Sequence, residues 1–238
     1  MKKISQKNSM NVMDESVKNP EVLVSAPQVP LPGNCPVQLW SLRLDQEASH
    51  ENDLFDAFLS PEERRESARF EHPHLAARYR LTHVWMRQML ARQLGRSAND
   101  VVIVRGKSGK PRLRPDHLNR PDFNLSHTDA LALLAMRNDG AVGVDVETIR
   151  PTPEAFAITT RWFSTAERRW LHNAADHDRA FLRLWVCREA FLKATGDGFH
   201  RPLDSFSLRP DGDVLRMDGA SLIEFAPTPG HVAAIALV

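Results

Sequence analysis

The chain carries one helical signature twice, and this repeat constrains its fold more than any other feature. A Ser-x-x-Glu motif, in which the serine caps a helix and the glutamate reaches back to it, begins at Ser60 and again at Ser164. A long stretch with apolar residues at three- and four-residue steps follows, and it ends at Gly95 in the first copy and at Gly196 in the second. The repeat indicates an internal duplication, although capping boxes and glycine-terminated helices also arise independently.

Alignment of the two glycines compares the two long helices position by position. Arg87 falls on Arg188, and Gln88 falls on Glu189. The second helix also carries Lys193 four residues after its glutamate. Only the second copy therefore combines an acid with a base on one helix face.

Strand patterns surround both predicted helices, which cover about residues 75–94 and 179–195. The segment 138–140 reads Asn-Asp-Gly and predicts a hairpin between the strands on either side. The fold class predicted is α+β, a pseudo-two-fold duplication of two similar subdomains, each a helix packed on a small, mostly antiparallel sheet. Predicted strands cover residues 37–42, 101–104, 112–113, 123–125, 131–137, 141–147, 206–208, 214–217, 221–225 and 231–237.

The sequence divides into three predicted segments. Residues 1–36 lack the apolar run of a signal peptide, end in a proline-rich stretch and are expected to form a flexible tail. Residues 37–147 form the predicted N-terminal subdomain, and residues 148–238 form the C-terminal one. A ligand cleft is expected between the two halves.

Composition excludes several classes of protein. Lysine and arginine number 31 against 30 acidic residues, which leaves no charge excess for a nucleic-acid coat or a polybasic membrane anchor. The most apolar stretch, residues 130–136, is too short to cross a bilayer. Cys35 and Cys187 form no disulfide framework. The expectation is a soluble cytoplasmic protein that binds neither nucleic acid nor membrane.

Three carboxylates and one ammonium carry the chemistry. Asp145 and Glu147 lie two residues apart in a predicted strand, so both point to one side, roughly 6 to 7 Å apart along it. Glu189 and Lys193 share a helix face. Three hard oxygen ligands beside a proton donor are suited to Mg²⁺-assisted transfer of a phosphate-linked group.

The spacing alone also allows an ordinary structural explanation. Asp145 and Glu147 could simply end an exposed strand. Glu189 and Lys193 could be a surface pair that contributes a few tenths of a kcal/mol. Ser126 stands beside His127, but neighbouring strand residues point to opposite faces, and the chain has no Gly-x-Ser-x-Gly elbow, so a serine nucleophile is rejected.

Five motifs in a fixed order resemble the 4′-phosphopantetheinyl transferases of the Sfp type. The resemblance covers about residues 37–210 and leaves the N-terminal tail unmatched. Any one motif would be weak, whereas five in this order are specific. They are Gly109-Lys110-Pro111, Phe123-Asn124-Leu125-Ser126-His127, Gly143-Val144-Asp145-Val146-Glu147, Trp162-Phe163-Ser164, and the segment from Trp185 to Lys193.

The resemblance implies transfer of the 4′-phosphopantetheine arm of coenzyme A to a serine of an apo acyl, peptidyl or aryl carrier protein, with release of adenosine 3′,5′-bisphosphate. It implies Mg²⁺, with Mn²⁺ as an alternative, held by Asp145, Glu147 and Glu189. Glu189 would also take the proton of the carrier serine, and Lys193 would neutralise the departing bisphosphate. A monomer is expected, because the two halves of a duplicated chain can pack against each other without a second copy.

The resemblance also implies which residues bind coenzyme A. His127 and arginines of the first helical region, with Arg78 first and Arg69 second, would bind the 3′-phosphate. Lys110 would lie near the adenine and phosphate end, and Lys193 would bind coenzyme A through the bisphosphate that departs.

The chain departs from the family pattern at two positions. The usual Trp-Thr/Ser-x-Lys-Glu-Ala motif has Val186 in place of the hydroxyl residue and Arg188 in place of lysine. Two other functions remain open at this point. One is a non-catalytic module that binds carrier protein or coenzyme A, and the other is a Mg²⁺-dependent nucleotide hydrolase.

Overall fold

The computed structural model describes residues 26–47, 53–106, 108–117, 120–198 and 201–238. Most of the helical content lies in two long helices, one in each half of the chain. One-turn 3-10 helices lie at Asp53–Ala57, Ala98–Asp100 and Leu203–Ser205. The α-helices are α1 Leu44–Glu47, α2 Pro61–Ser67, α3 Pro73–Leu94, α4 Ala155–Trp162, α5 Thr165–His172 and α6 His177–Thr195.

The strands reproduce most of the predicted ones. The main difference is the segment at 206–208, where the strand begins only at Arg209. The strands are β1 Gln38–Arg43, β2 Ile103–Arg105, β3 Pro111–Leu113, β4 Asp122–His127, β5 Leu131–Arg137, β6 Val142–Thr148, β7 Arg209–Asp211, β8 Val214–Arg216, β9 Ser221–Phe225 and β10 His231–Leu237.

Within the described residues, the strands form two three-stranded antiparallel sheets and two short ribbons. The first sheet has the order β1-β5-β4 and the second β6-β10-β9, while β2 pairs with β3 and β7 pairs with β8. Helix α3 packs on the first sheet and α6 on the second. This arrangement confirms the predicted α+β fold, in which two similar halves each pack one long helix on a small sheet.

Both predicted capping boxes are present. The backbone N–H of Glu63 donates to Ser60 Oγ, and its carboxylate accepts from the backbone N–H of Ser60. Ser164 and Glu167 make the same two hydrogen bonds. Gly95 ends α3 in the left-handed conformation, and Gly196 ends α6 in the same way.

The two capping glutamates each bind a buried arginine of the long helix that follows. Arg87 Nε lies 2.7 Å from Glu63 Oε2, and Arg188 Nη2 lies 2.7 Å from Glu167 Oε1. The predicted alignment of Arg87 with Arg188 is therefore matched by equivalent ion pairs. Each ion pair connects a short capped helix to the long helix that follows it. The equivalence of the two ion pairs shows the duplication in three dimensions.

The predicted hairpin between β5 and β6 is wrong. The turn at 138–140 is present, with Gly140 at φ 113°, but β5 pairs with β1 and β4 whereas β6 pairs with β10. The turn therefore carries the chain from one sheet to the other. Strands β1 and β4 occupy both edges of β5, so β6 cannot pair with it even though the turn sequence favours a hairpin.

Apolar residues fill three layers of core. The outer two lie between each sheet and its helix. The middle layer joins the two sheets through alternate residues of β5, β6 and β10, among them Leu133, Val144 and Ile235. Strands β5 and β6 are consequently buried on both faces, since alternate residues of a strand point to opposite sides.

The chain passes from the first sheet to the second at the turn 138–140. The subdomain boundary predicted after residue 147 stays a prediction. Strand β6 belongs to the second sheet. At the other end, part of the predicted tail follows β1: the N–H of Val29 donates to the carbonyl of Leu39, and Gln28 bridges to Trp40. Residues 1–25 lie outside the described part.

No helix within the described ranges has the length and apolar character needed to cross a membrane. Cys35 and Cys187 are both free thiols, as predicted from the sequence. Burial raises the pKa of the Cys187 thiol well above its usual range.

Candidate active site

Helix α6 packs unusually close to β6. A β-carbon on Gly143 would overlap the carbonyl oxygen of Ala190 and the backbone nitrogen of Ala194. Only glycine permits this approach. Asp145 and Glu147 follow at alternate positions of the same strand, so they share the face that meets α6.

The close packing brings Lys193 onto Asp145. Lys193 Nζ lies 2.5 Å from Asp145 Oδ1 and 3.1 Å from Ser126 Oγ. Ser126 Oγ donates to the same carboxylate oxygen at 2.9 Å. An ammonium, a hydroxyl and a carboxylate from α6, β4 and β6 thus form a closed triangle.

The three carboxylates lie close enough to influence one another. Burial, followed by the charge of Asp145, raises the pKa of Glu147. The same two causes, in the same order, raise the pKa of Glu189, and Lys193 opposes them. Such mutual repulsion marks a cluster of negative charge that favours a cation.

Two oxygens of this cluster are buried and have no hydrogen-bond partner among the residues that the structure describes. They are Asp145 Oδ2 and Glu189 Oε1. Buried carboxylate oxygens are seldom unpaired, because desolvation is costly. Their chemistry fits a hard divalent cation such as Mg²⁺, although no group of three or more His, Cys, Asp and Glu side chains in the described ranges is arranged to hold a metal ion.

Glu189 and Lys193 line a cleft, here called the carboxylate cleft. Its volume is about 400 Å³. Pro111 and Leu125 line both this cleft and a larger groove of about 670 Å³ beside α3. The remaining residues of the carboxylate cleft are Ser108, Lys110, Asn124, Leu192, Gly196 and Gly198.

The predicted phosphate-binding residues occupy different parts of this surface. Arg78 and His127 together line a small cavity of about 80 Å³, where Arg78 Nη1 lies 3.1 Å from Asp129 Oδ1. Arg69 instead lines the larger groove and pairs with Glu66 on the surface. Desolvation by the surrounding protein is the largest cause that lowers the pKa of His127, so its imidazole takes up a proton less readily than usual.

Lys110 has structural partners. Its ammonium donates to Asp122 Oδ2 at 2.6 Å, to the carbonyl of Val142 at 2.9 Å and to the carbonyl of Ala194 at 3.2 Å. These bonds tie the loop before β3 to β4, β6 and the end of α6. Burial lowers the pKa of Lys110, and Asp122 opposes this. Three acceptors occupy all three of its donors, and a contact to coenzyme A remains a prediction.

Side chains of β4, rather than a backbone ladder, connect the two sheets. The N–H of Val142 donates to Asp122 Oδ2, and the N–H of Val144 donates to Asn124 Oδ1, both at 2.8 Å. Ser126, two residues further along β4, reaches Asp145. Asp145, Glu147 and Glu189 therefore all belong to the second half, and the first half contributes Ser126 from across the seam.

Both departures from the family motif lie in the core of the second half. Val186 is buried against that core. Arg188 is fully buried, where it binds Glu167 and the carbonyl of Leu203 and lies over the ring of Phe163. Neither side chain lines the carboxylate cleft. The substitutions therefore change the support of α6 and leave the residues of the cleft in place.

Sequence reasoning missed three side chains of this region. Ser126 was considered only as a nucleophile, and its bonds to Asp145 and Lys193 depend on a pairing of strands that is not visible locally. Tyr79 stacks on His83 with ring centres 3.8 Å apart, and both line the larger groove. Their four-residue spacing on a predicted helix was the available signal.

Two family models match the chain. The model of the 4′-phosphopantetheinyl transferase superfamily matches residues 141–218, and a model of the N-terminal part of 4′-phosphopantetheinyl transferase matches residues 46–139. The two matches meet at the turn that separates the sheets.

Curated relatives match over most of their length. The 4′-phosphopantetheinyl transferase HetI of Nostoc sp. is 34% identical over 209 residues, which is 84% of this chain and 87% of the relative. The 4′-phosphopantetheinyl transferase Sfp of Bacillus subtilis is 34% identical over 192 residues, 79% of this chain and 81% of the relative. The chain therefore belongs to the 4′-phosphopantetheinyl transferase superfamily and is an enzyme of that class.

Proposed function

We propose that this enzyme transfers the 4′-phosphopantetheine arm of coenzyme A to a serine of an apo acyl, peptidyl or aryl carrier protein. The by-product is adenosine 3′,5′-bisphosphate. The observation that carries the proposal is the ion pair of Lys193 with Asp145, because Lys193 lines the wall of the carboxylate cleft together with Glu189. An acid and a base on one wall, beside further carboxylates, provide for proton transfer and for charge neutralisation at one place.

Coenzyme A is proposed to occupy the carboxylate cleft and the adjoining groove. The volumes of the two spaces, about 400 and 670 Å³, are of the size that ligand sites use. Tyr79 lines both the groove and the small cavity that holds Arg78 and His127. Arg78 and, once it is protonated, His127 would bind the 3′-phosphate, with Arg69 further along the groove, because guanidinium and protonated imidazole both donate to phosphate oxygens.

Asp145, Glu147 and Glu189 would hold a Mg²⁺ ion. The unpartnered oxygens of Asp145 and Glu189 support this assignment. Once bound, the ion supplies charge neutralisation for the diphosphate of coenzyme A.

Glu189 is proposed to accept the proton of the carrier serine, directly or through one water. The serine oxygen then forms a bond to the phosphorus that carries the pantetheine arm, while the bond from that phosphorus to the bridging oxygen breaks. A carboxyl group whose pKa is raised by burial is a better base than an ordinary glutamate.

Lys193 is proposed to neutralise the departing bisphosphate. Its side chain lines the cleft beside Glu189 and can donate to the oxygen that takes up the negative charge. A monomer would suffice for these steps, because side chains within one chain satisfy the seam between its sheets.

The test is to incubate the protein with coenzyme A, Mg²⁺ and an apo carrier protein and then to measure the mass of the carrier. A gain of one phosphopantetheine arm, lost without Mg²⁺, supports the proposal. Bisphosphate release that needs no carrier would indicate a nucleotide hydrolase. Carrier binding with no change of mass would indicate a binding module, and either result overturns the transferase.

A further inference from the structure

We infer that Lys193 is a resident cation that neutralises Asp145 while no divalent ion is bound, and that it moves into the carboxylate cleft when one binds. This inference rests on the proposed metal site. It assigns Lys193 two positions, one in contact with the Asp145 carboxylate and one facing the leaving group. Lys193 can reach the second position only after it has left the first.

The contacts of Lys193 support the first position. Its ammonium lies 2.5 Å from Asp145 Oδ1, and Ser126, which also accepts from Lys193 at 3.1 Å, donates to the same oxygen. The Asp145 side chain is 7% exposed, whereas that of Lys193 is 29% exposed and lines the cleft. The carboxylate is therefore fixed, and the lysine has open space beside it.

The charges around the cluster indicate that the ion pair between Lys193 and Asp145 is replaced when a metal ion binds. Asp145, Glu147 and Glu189 can carry three negative charges. Within the described residues, the cations in ion-pair contact with them are Lys193 on Asp145 and Arg150 on Glu147 at 3.8 Å. Asp145 Oδ2 and Glu189 Oε1 have no hydrogen-bond partner in the described part of the chain. A divalent ion would neutralise these oxygens better than one ammonium does, because Mg²⁺ binds several carboxylate oxygens at once.

The side chain itself permits the exchange. Lysine carries a compact charge on a flexible four-carbon stem, so its ammonium can shift by several ångströms without movement of the helix. The wall of the carboxylate cleft lies within that reach. Release from Asp145 would then place the ammonium where the departing bisphosphate needs it. Metal binding and the readiness of Lys193 for the leaving group would be one linked event.

The experiment measures Mn²⁺ binding to the whole chain without coenzyme A, by the paramagnetic resonance signal of the free ion. We expect Lys193→Met to bind Mn²⁺ at least about tenfold more tightly than wild type, because a close charge pair no longer competes. The matched control is Arg150→Met, which also removes one positive charge beside the cluster. Its pair with Glu147 is long and exposed, so we expect a change below about threefold.

Thermal unfolding provides the second measurement. Metal-free Lys193→Met should melt below wild type, since its carboxylates have lost their counter-ion, and Mn²⁺ should raise its Tm by more than it raises that of wild type. If the methionine variant does not fold, Lys193→Gln keeps a donor for Asp145, removes the charge and takes its place in both measurements.

Equal or weaker Mn²⁺ binding by the Lys193 variants would overturn the inference, as would an equal gain in the Arg150 control. The carrier-mass assay separates this failure from failure of the proposed function. Wild type that transfers the arm while its Lys193 variants show no gain in Mn²⁺ affinity leaves the transferase intact. Wild type that binds no Mn²⁺ overturns both the metal site and the exchange.

Discussion

Gly143 of β6 lies directly against the carbonyl of Ala190 in α6, with no space for a side chain between them. This contact sets the distance between the strand that carries Asp145 and the helix that carries Glu189 and Lys193. The candidate active site therefore depends on a residue that has no functional group.

Gly143→Ala should destabilise the protein by about 3 kcal/mol or more, because the added methyl overlaps backbone atoms of α6 that cannot rotate away. Urea unfolding measures the loss. Gly95→Ala is the matched control, since its β-carbon meets no atom within 4 Å and the only penalty is about 1 kcal/mol for its left-handed backbone. Equal costs in the two variants would contradict the close-packing explanation.

Glu189→Gln should lower the rate of carrier modification by about 10² to 10⁴-fold, because glutamine cannot accept the serine proton. Coenzyme A binding, followed by calorimetry, should remain within a few-fold of wild type. Glu154→Gln alters an exposed carboxylate that pairs with Arg150 and should leave transfer unchanged. Near-normal turnover of the Glu189 variant would remove this residue from the mechanism.

The stability of the metal-free enzyme should depend on pH through Glu189. Its pKa is raised in the folded state, so the folded protein holds this proton more tightly than the unfolded chain does. The contribution of Glu189 to the free energy of unfolding consequently falls as pH rises above its usual pKa of 4.5. Glu189→Gln removes this loss, and its Tm relative to wild type should increase as the pH is raised. A difference independent of pH would contradict the burial of this carboxylate.

Binding of the 3′-phosphate should strengthen as the pH is lowered through the titration of His127. Burial lowers the pKa of this imidazole, so it is neutral at slightly alkaline pH and gains its charge only below its usual range. The preference for coenzyme A over 3′-dephospho-coenzyme A should rise, by up to about tenfold, as the pH is lowered below the usual imidazole pKa of 6.5. His127→Asn should abolish that rise. Persistence of the rise in the variant would assign the pH effect to another group.

Arg188→Met should cost about 3 kcal/mol or more, since it leaves the buried carboxylate of Glu167 without its counter-ion. Arg87→Met is the matched change in the first half, where Glu63 would lose the equivalent partner, and we expect the same direction. Chemical unfolding of both variants checks this. An Arg188 variant as stable as wild type would show that the family departure at this position is structurally neutral.

Local chemistry predicted the helix boundaries well. Ser60 and Ser164 supply the capping oxygens, and Gly95 and Gly196 adopt the positive φ that ends each long helix. Helix α4 was missed because Glu154 at its start makes no capping hydrogen bond. The sequence was sufficient to predict the end of a helix where a capping serine or a terminal glycine stands there.

Pairing between distant segments was harder to predict. The turn at 138–140 is a good hairpin signal, yet β6 is paired with β10 at the other end of the chain. Lys110 reaches the carbonyl of Ala194, which is 84 residues away, and no local pattern records that contact. The spacing of Asp145 and Glu147 correctly indicated a shared face, but which helix meets that face depends on packing at Gly143.

Side chains of Asp122 and Asn124 occupy the backbone donors along the edge of β6. The first half thereby shields a strand border of the second half that would otherwise be open to pairing with other chains. A fragment that began after the turn 138–140 would uncover that border and would be prone to self-association. The two halves must therefore be kept in one polypeptide.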